Sequence, residues 1–244
     1  MRIVIGDAAL ETYGKVGSMN GREILRKALA GAVRAVFRPR ITGMENIPRN
    51  GPFILAANHL SFSDHIFLTI LVPRPVYFVG KAERLGRTSL RGRLSGLFFQ
   101  RIGMIPVRRD GGRGGIEALE TSSALLGDGL GVGIHPEGTR SPDGRLYRGH
   151  TGAAWMSLTT GAPVLPCGLI GTERVQRPGG LLLRPVRFEM HIGRPLTPAA
   201  YAGREKQSLS RRQYTDQIMA GIQALSGQEL APEFAVKGKA LRAA

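Results

Sequence analysis

The sequence predicts one α/β domain, and three observations carry that reading. Apolar, β-prone runs recur along the chain between glycine, proline and polar residues: Phe53–Ala57, Val76–Val79, Met104–Val107, Leu130–Ile134, Val164–Leu169 and Val186–Ile192. Segments of helical period lie among and around them. Finally, 244 residues with 42% hydrophobic content can bury a full core, and the order of the chemical motifs leaves no room for a second domain.

Residues 1–20 show no clear pattern. From Gly21 to Arg38, apolar residues fall at 24, 28, 32, 36 and at 25, 29, 33, 37, two rows forming one wide face with Lys27, Arg34 and Arg38 opposite. Such a helix suits a lipid surface or packing on the protein's own core, and both readings stand. The run Phe53–Ala57 opens into Asn58-His59, and Ser61-x-x-Asp64 reads as a helix start. Residues 110–115 form a glycine-rich loop, with a helix over about 116–126. The glycines of 127–133 lack Gly-x-Gly-x-x-Gly spacing and feed into a strand, which argues against a dinucleotide site. A last helix, Ser208–Leu225, sets Tyr214, Ile218, Ile222 and Leu225 on one face, and the polar, small residues beyond Ser226 are expected to fray. The expected division is an N-terminal membrane-associating helical segment (1–40), a main domain (41–225) and a C-terminal tail (226–244).

Lys and Arg number 34 against 18 Asp and Glu, a formal net charge of +16. Ten of the basic residues crowd into 74–113 beside two acidic ones. Such an excess draws polyanions: nucleic acid, anionic lipid headgroups or an acidic carrier protein. Aromatic residues are few and not interleaved with the basic stretch, so specific nucleic-acid binding is not expected. The longest apolar run, near residues 65–72, is far short of the roughly 20 residues of a membrane-crossing helix. No signal-peptide pattern opens the chain, and one cysteine gives no disulfide framework.

Two blocks carry chemistry. In Asn58-His59-Leu-Ser-Phe-Ser-Asp64, a carboxylate five residues after a histidine can accept a hydrogen bond from one imidazole nitrogen while the other faces a substrate hydroxyl. Ordinary turn or capping chemistry has the same spacing. In Gly131–Ser141, a strand-like run opens into Pro136-Glu137-Gly138-Thr139-Arg140-Ser141, which offers backbone N–H groups, a hydroxyl and a guanidinium to an anion. Glu137 either orients Arg140 or holds the loop. A plain strand-to-turn connection with a surface ion pair is the competing reading.

Together the blocks resemble those of the PlsC-like 1-acyl-sn-glycerol-3-phosphate acyltransferases. Asn58, His59 and Asp64 match the family's Asn-His-x4-Asp, and 136–141 match its Phe-Pro-Glu-Gly-Thr-Arg-Ser with His135 in the phenylalanine's place. Weaker blocks follow in order at Gly103–Arg109 and Ala162–Pro166, and Lys81-Ala-Glu83 resembles a further element. The resemblance covers roughly residues 40–225. It implies a glycerol-3-phosphate acyltransferase-like fold, a mixed sheet flanked by helices. It also implies acyl transfer from an acyl-coenzyme A or acyl carrier protein thioester to the hydroxyl of lysophosphatidic acid, with no cofactor and no metal. His59 is then the general base, Asp64 its orienting partner, and Lys81, Arg109, Glu137, Gly138, Thr139 and Arg140 the substrate-binding set. An anionic membrane surface is the implied partner, and the cytoplasmic face of the membrane the implied location. Another lysolipid or glycerol phosphate as acceptor remains open, as does a non-catalytic basic lipid-binding or nucleic-acid-binding protein.

His135 either joins the acid–base chemistry or a metal site, or is a polar replacement lining the loop, the plainer expectation. His65, His150 and His191 have no metal-ligand spacing. Cys167 reads as a small buried hydrophobe. No Gly-x-Ser-x-Gly elbow is present, which excludes a serine hydrolase of that type.

Overall fold

The computed structural model describes residues 19–81, 90–107, 114–176, 183–201, 203–204 and 206–236. Its strands are β1 (Arg40–Thr42), β2 (Phe53–Ala57), β3 (Val76–Lys81), β4 (Met104–Val107), β5 (Gly131–Ile134), β6 (Leu146–Tyr147), β7 (Val164–Ile170), β8 (Glu189–Ile192) and β9 (Leu230–Ala231). Its α-helices are α1 (Met19–Phe37), α2 (Asp64–Ile70), α3 (Leu90–Ile102), α4 (Gly114–Gly127), α5 (Gly152–Thr160), α6 (Thr172–Val175) and α7 (Ser208–Ser226).

Among the described residues, seven strands form one sheet in the order β1-β8-β7-β2-β5-β3-β4. The five from β7 to β4 run parallel, β8 runs antiparallel to β7, and β1 follows β8, so the sheet is mixed. β6 and β9 pair separately. Parallel strands need both faces covered, and β2 is buried at all five positions. Its alternation divides the core: Phe53, Leu55 and Ala57 join Phe67 of α2 and Phe37 of α1 on one face. Ile54 and Ala56 meet Leu126 of α4, Met156 of α5 and Ile218 of α7 on the other.

The two apolar rows of α1 have different fates. Leu29, Val33 and Phe37 pack on the core, while Ile24, Ala28, Ala32 and Val36 stay exposed. Arg26, 8% exposed, anchors the helix by donating to the carbonyls of Ile70, the last residue of α2, and of Val72 and Pro73 beyond it.

β2 and β4 have the bounds the sequence predicts. The run expected from Val186 forms a strand only at Glu189, because β7 ends at Ile170, opposite Glu189, leaving 186–188 without a partner there. The described residues just beyond Ser226 return to the domain: α7 lies so close to β7 that a Cβ on Gly168 would stand 2.5 Å from the Leu225 backbone. From there, Gln228 and β9 are delivered back to the sheet's carboxyl end.

Candidate active site

Ligands of open parallel sheets bind outside the carboxyl ends of the strands, and both chemical blocks emerge there, from neighbouring strands. Asn58, the first residue after β2, replaces the strand ladder with its side chain. Its Oδ1 accepts from Leu169 N (2.7 Å), while Nδ2 donates to Leu169 O (2.9 Å) and to Gln228 Oε1 (2.7 Å). His59 follows on a stem fixed at both backbone atoms. Its N–H donates to Glu137 Oε1 (2.9 Å) and its carbonyl accepts from Ser141 N (2.7 Å).

His59 Nδ1 lies 2.9 Å from Asp64 Oδ2. The same oxygen accepts from the backbone N–H groups of Leu60 and Ser61, each at 2.7 Å. Those donors favour the anion, so Nδ1 is the protonated nitrogen and Nε2 carries the basic lone pair. Asp64 is fully buried, and burial pushes its carboxyl up against those stabilising bonds. The Thr172 hydroxyl, just past β7, also lowers it, although neither Thr172 Oγ1 nor Asp64 Oδ1 has a partner in full hydrogen-bond geometry among the described residues.

Glu137 is also fully buried, and it holds the loops instead of orienting Arg140: Oε1 takes His59 N and Oε2 takes Tyr147 N (3.0 Å). Burial pushes its carboxyl up to about 7 despite these two donors. Gly138 sits at φ +71, which turns the loop outward, and a Cβ there would meet the His150 ring at 3.0 Å. Thr139 is half-buried, and Arg140 is exposed with no ion pair among the described residues. The β3 backbone ends at Lys81, two strands from β2 at the same end of the sheet, but the side chain lies outside the described residues. Arg109 lies outside them altogether.

Three histidines gather at the site although the sequence separates them. His135 stacks on His59, with centroids 4.1 Å apart and planes at 11°, and His65 meets each edge-on at 4.9 Å. One nitrogen from each lies within 4.8 Å of the others, the one such group among the described residues. A metal sits in the plane of each imidazole that binds it. Two nearly parallel stacked rings with centroids 4.1 Å apart do not aim lone pairs at one ion as they stand, so joint coordination would need a ring to turn, at the expense of the bonds at Asp64 or at the end of β2. The arrangement suits stacking and proton transfer at His59. Sequence reasoning missed Thr172, Gln228 and His65 here. Only His65, adjacent to Asp64, carried a local signal.

The model of the family described as Acyltransferase matches residues 38–170, more than half of the chain. The chain belongs to that family. Within it, the chain is 30% identical over 165 residues to the 1-acyl-sn-glycerol-3-phosphate acyltransferase of Bacillus subtilis, covering 67% of this chain and 76% of the relative. It is 31% identical over 144 residues to the chloroplast enzyme of that name from Brassica napus, covering 59% of this chain but only 40% of that relative's length. The crystal structure of the 1-acyl-sn-glycerophosphate acyltransferase PlsC from Thermotoga maritima matches with a TM-score of 0.61 at 25% identity, over 85% of this chain and 84% of that one. The family match spans β1 through β7, so it includes His59, Asp64 and the whole Glu137 loop.

Proposed function

We propose that the protein transfers a fatty acyl group from a thioester, of coenzyme A or an acyl carrier protein, to the free hydroxyl of lysophosphatidic acid, giving phosphatidic acid. The observation that carries this is the His59–Asp64 pair, a buried carboxylate holding the tautomer of an imidazole at the carboxyl end of a parallel sheet. His59 Nε2 removes the hydroxyl proton, the alkoxide attacks the thioester carbonyl, and the proton returns to the departing thiolate as the tetrahedral intermediate collapses. The protein supplies no covalent nucleophile. Arg140, exposed at the mouth, meets the acceptor's phosphate, with Lys81 and Arg109 assigned to the same anion. The relatives' names support this acceptor.

The reaction runs at an anionic membrane surface, on its cytoplasmic face. Supporting this are the +16 charge and the exposed row Ile24, Ala28, Ala32 and Val36 beside packed α1 contacts. No described helix is long and apolar enough to cross a membrane.

Thiol release from a long-chain acyl-coenzyme A, with and without lysophosphatidic acid, tests the reading. Acceptor-dependent release that His59→Ala lowers by about 10²–10⁴-fold is expected. Release independent of both acceptor and His59 would reject it, and so would silence with every lysolipid and with both donor classes. Presenting the acceptor in vesicles of rising anionic content checks the membrane assignment, which an indifferent rate would remove.

A further inference from the structure

His135 stands where the resemblance leads one to expect phenylalanine, and its imidazole does two things of which a phenyl ring could do one. Nδ1 lies 2.9 Å from Ala57 O and 3.0 Å from Asn58 O. Carbonyls only accept, so Nδ1 carries the proton and donates to both. These carbonyls belong to the last residue of β2 and to the residue directly before His59. The bond therefore ties the end of β5 to the stem of the base.

The same ring lies flat against His59. Burial, with His59 and His65 close by, holds His135 well below the usual imidazole range, so it is uncharged at neutral pH. An uncharged π-face attracts the imidazolium that forms when His59 takes a proton, whereas a second cation would repel it. Nε2 of His135 is sealed from solvent and has no hydrogen-bond partner among the described residues, an uncommon state for a buried polar atom. The Nδ1 pair is thus what distinguishes this imidazole from a hydrocarbon ring of similar size.

We propose that His135 is a positioning residue for the general base. It pins the Ala57 and Asn58 carbonyls through Nδ1–H and presents a neutral stacking face to His59. This rests on the assignment of His59 as base.

The test is kcat and KM for lysophosphatidic acid in His135→Phe and His135→Asn. Phenylalanine keeps the stacking face and loses the donor. Asparagine keeps an N–H near the place of Nδ1 and loses the face. A 1 Å misplacement can cost about 10²-fold in rate; here Glu137 and Ser141 still hold the stem, so His135→Phe should lose about tenfold in kcat at unchanged KM. His135→Asn should recover to within about threefold of the wild type. A melting curve on each variant confirms folding, and His135→Leu against His135→Asn repeats the contrast at matched size if the phenylalanine variant does not fold. Wild-type kcat in the donor-less variant would overturn the proposal. Equal losses with and without a donor would also do so, since packing alone would then explain them. Should the wild type itself transfer no acyl group while folded, the failure belongs to the functional reading and not to His135.

Discussion

The loop after β2 and the loop after β5 carry similar polar residues to opposite purposes. In the first, Asp64 reaches a neighbouring side chain, and the product is an oriented imidazole. In the second, Glu137 and His135 reach across to the first loop's backbone, one taking the His59 N–H and the other the carbonyls on either side of the Ala57–Asn58 bond. Two carboxylates, both fully buried, thus divide the labour: one holds the imidazole, the other the chain that carries it. A strongly patterned motif need not line the substrate. Part of the Pro136–Ser141 block serves as scaffold for the block before it.

Substitutions can sharpen or break this division. The largest effect should follow Asp64→Asn. An amide oxygen can keep the Leu60 and Ser61 bonds, but the charge that stabilises imidazolium is lost, so kcat should fall by about 10²–10⁴-fold with little change in KM. A small kcat effect with a large stability loss would instead make Asp64 a scaffold like Glu137.

Glu137→Gln comes next. An amide can satisfy only one of the two N–H donors and turns its NH2 toward the other, costing about 1–3 kcal/mol of stability and about tenfold in kcat. It should also change the pH dependence. The folded protein holds a proton on Glu137 up to about pH 7, whereas the free side chain releases it near 4.5. Between those values the native state binds more protons than the unfolded one, so stability falls as pH rises through that window, by on the order of 3 kcal/mol. Denaturant titrations from pH 4.5 to 7.5 should show this slope in the wild type and a flatter one in Glu137→Gln. An identical slope in both would place the titrating group elsewhere.

The smallest effect is expected at Arg140, which faces solvent. Arg140→Ala should raise KM for lysophosphatidic acid about tenfold with kcat and melting temperature nearly unchanged. A shift in kcat alone would tie this arginine to the chemistry and blur the contrast between the loops.

What the sequence made legible follows from what is local. β2 and β4 are short apolar runs closed by breakers, and their bounds emerge as expected. His59 and Asp64 are five residues apart, so their pairing is a property of one turn. α5 was unreadable because it is buried nearly all round, with Ala153, Ala154, Met156, Ser157 and Leu158 inside, which leaves no amphipathic alternation to detect. β1 has three residues, given strand form by β8 far along the chain. The approach of His135 to His59, and of Thr172 to Asp64, joins three strand ends that only the sheet order brings together. The role of Glu137 was undecidable for the same reason: its two partners are 78 and 10 residues away.

The bond between Asn58 and Gln228 gives the site a timetable. It spans 170 residues, and β5 and β7, which flank β2, are also translated after it. At about 5–20 residues per second, a ribosome needs roughly 10–30 s after making Asn58 to supply its last partner. During that interval the nascent chain carries His59 and Asp64, and gains Glu137 and Ser141 part-way, while the Asn58 side chain still lacks its full set of partners. His59 would therefore gain its complete setting only once the chain has been made through Gln228, and a substrate near the ribosome would not meet a half-built site.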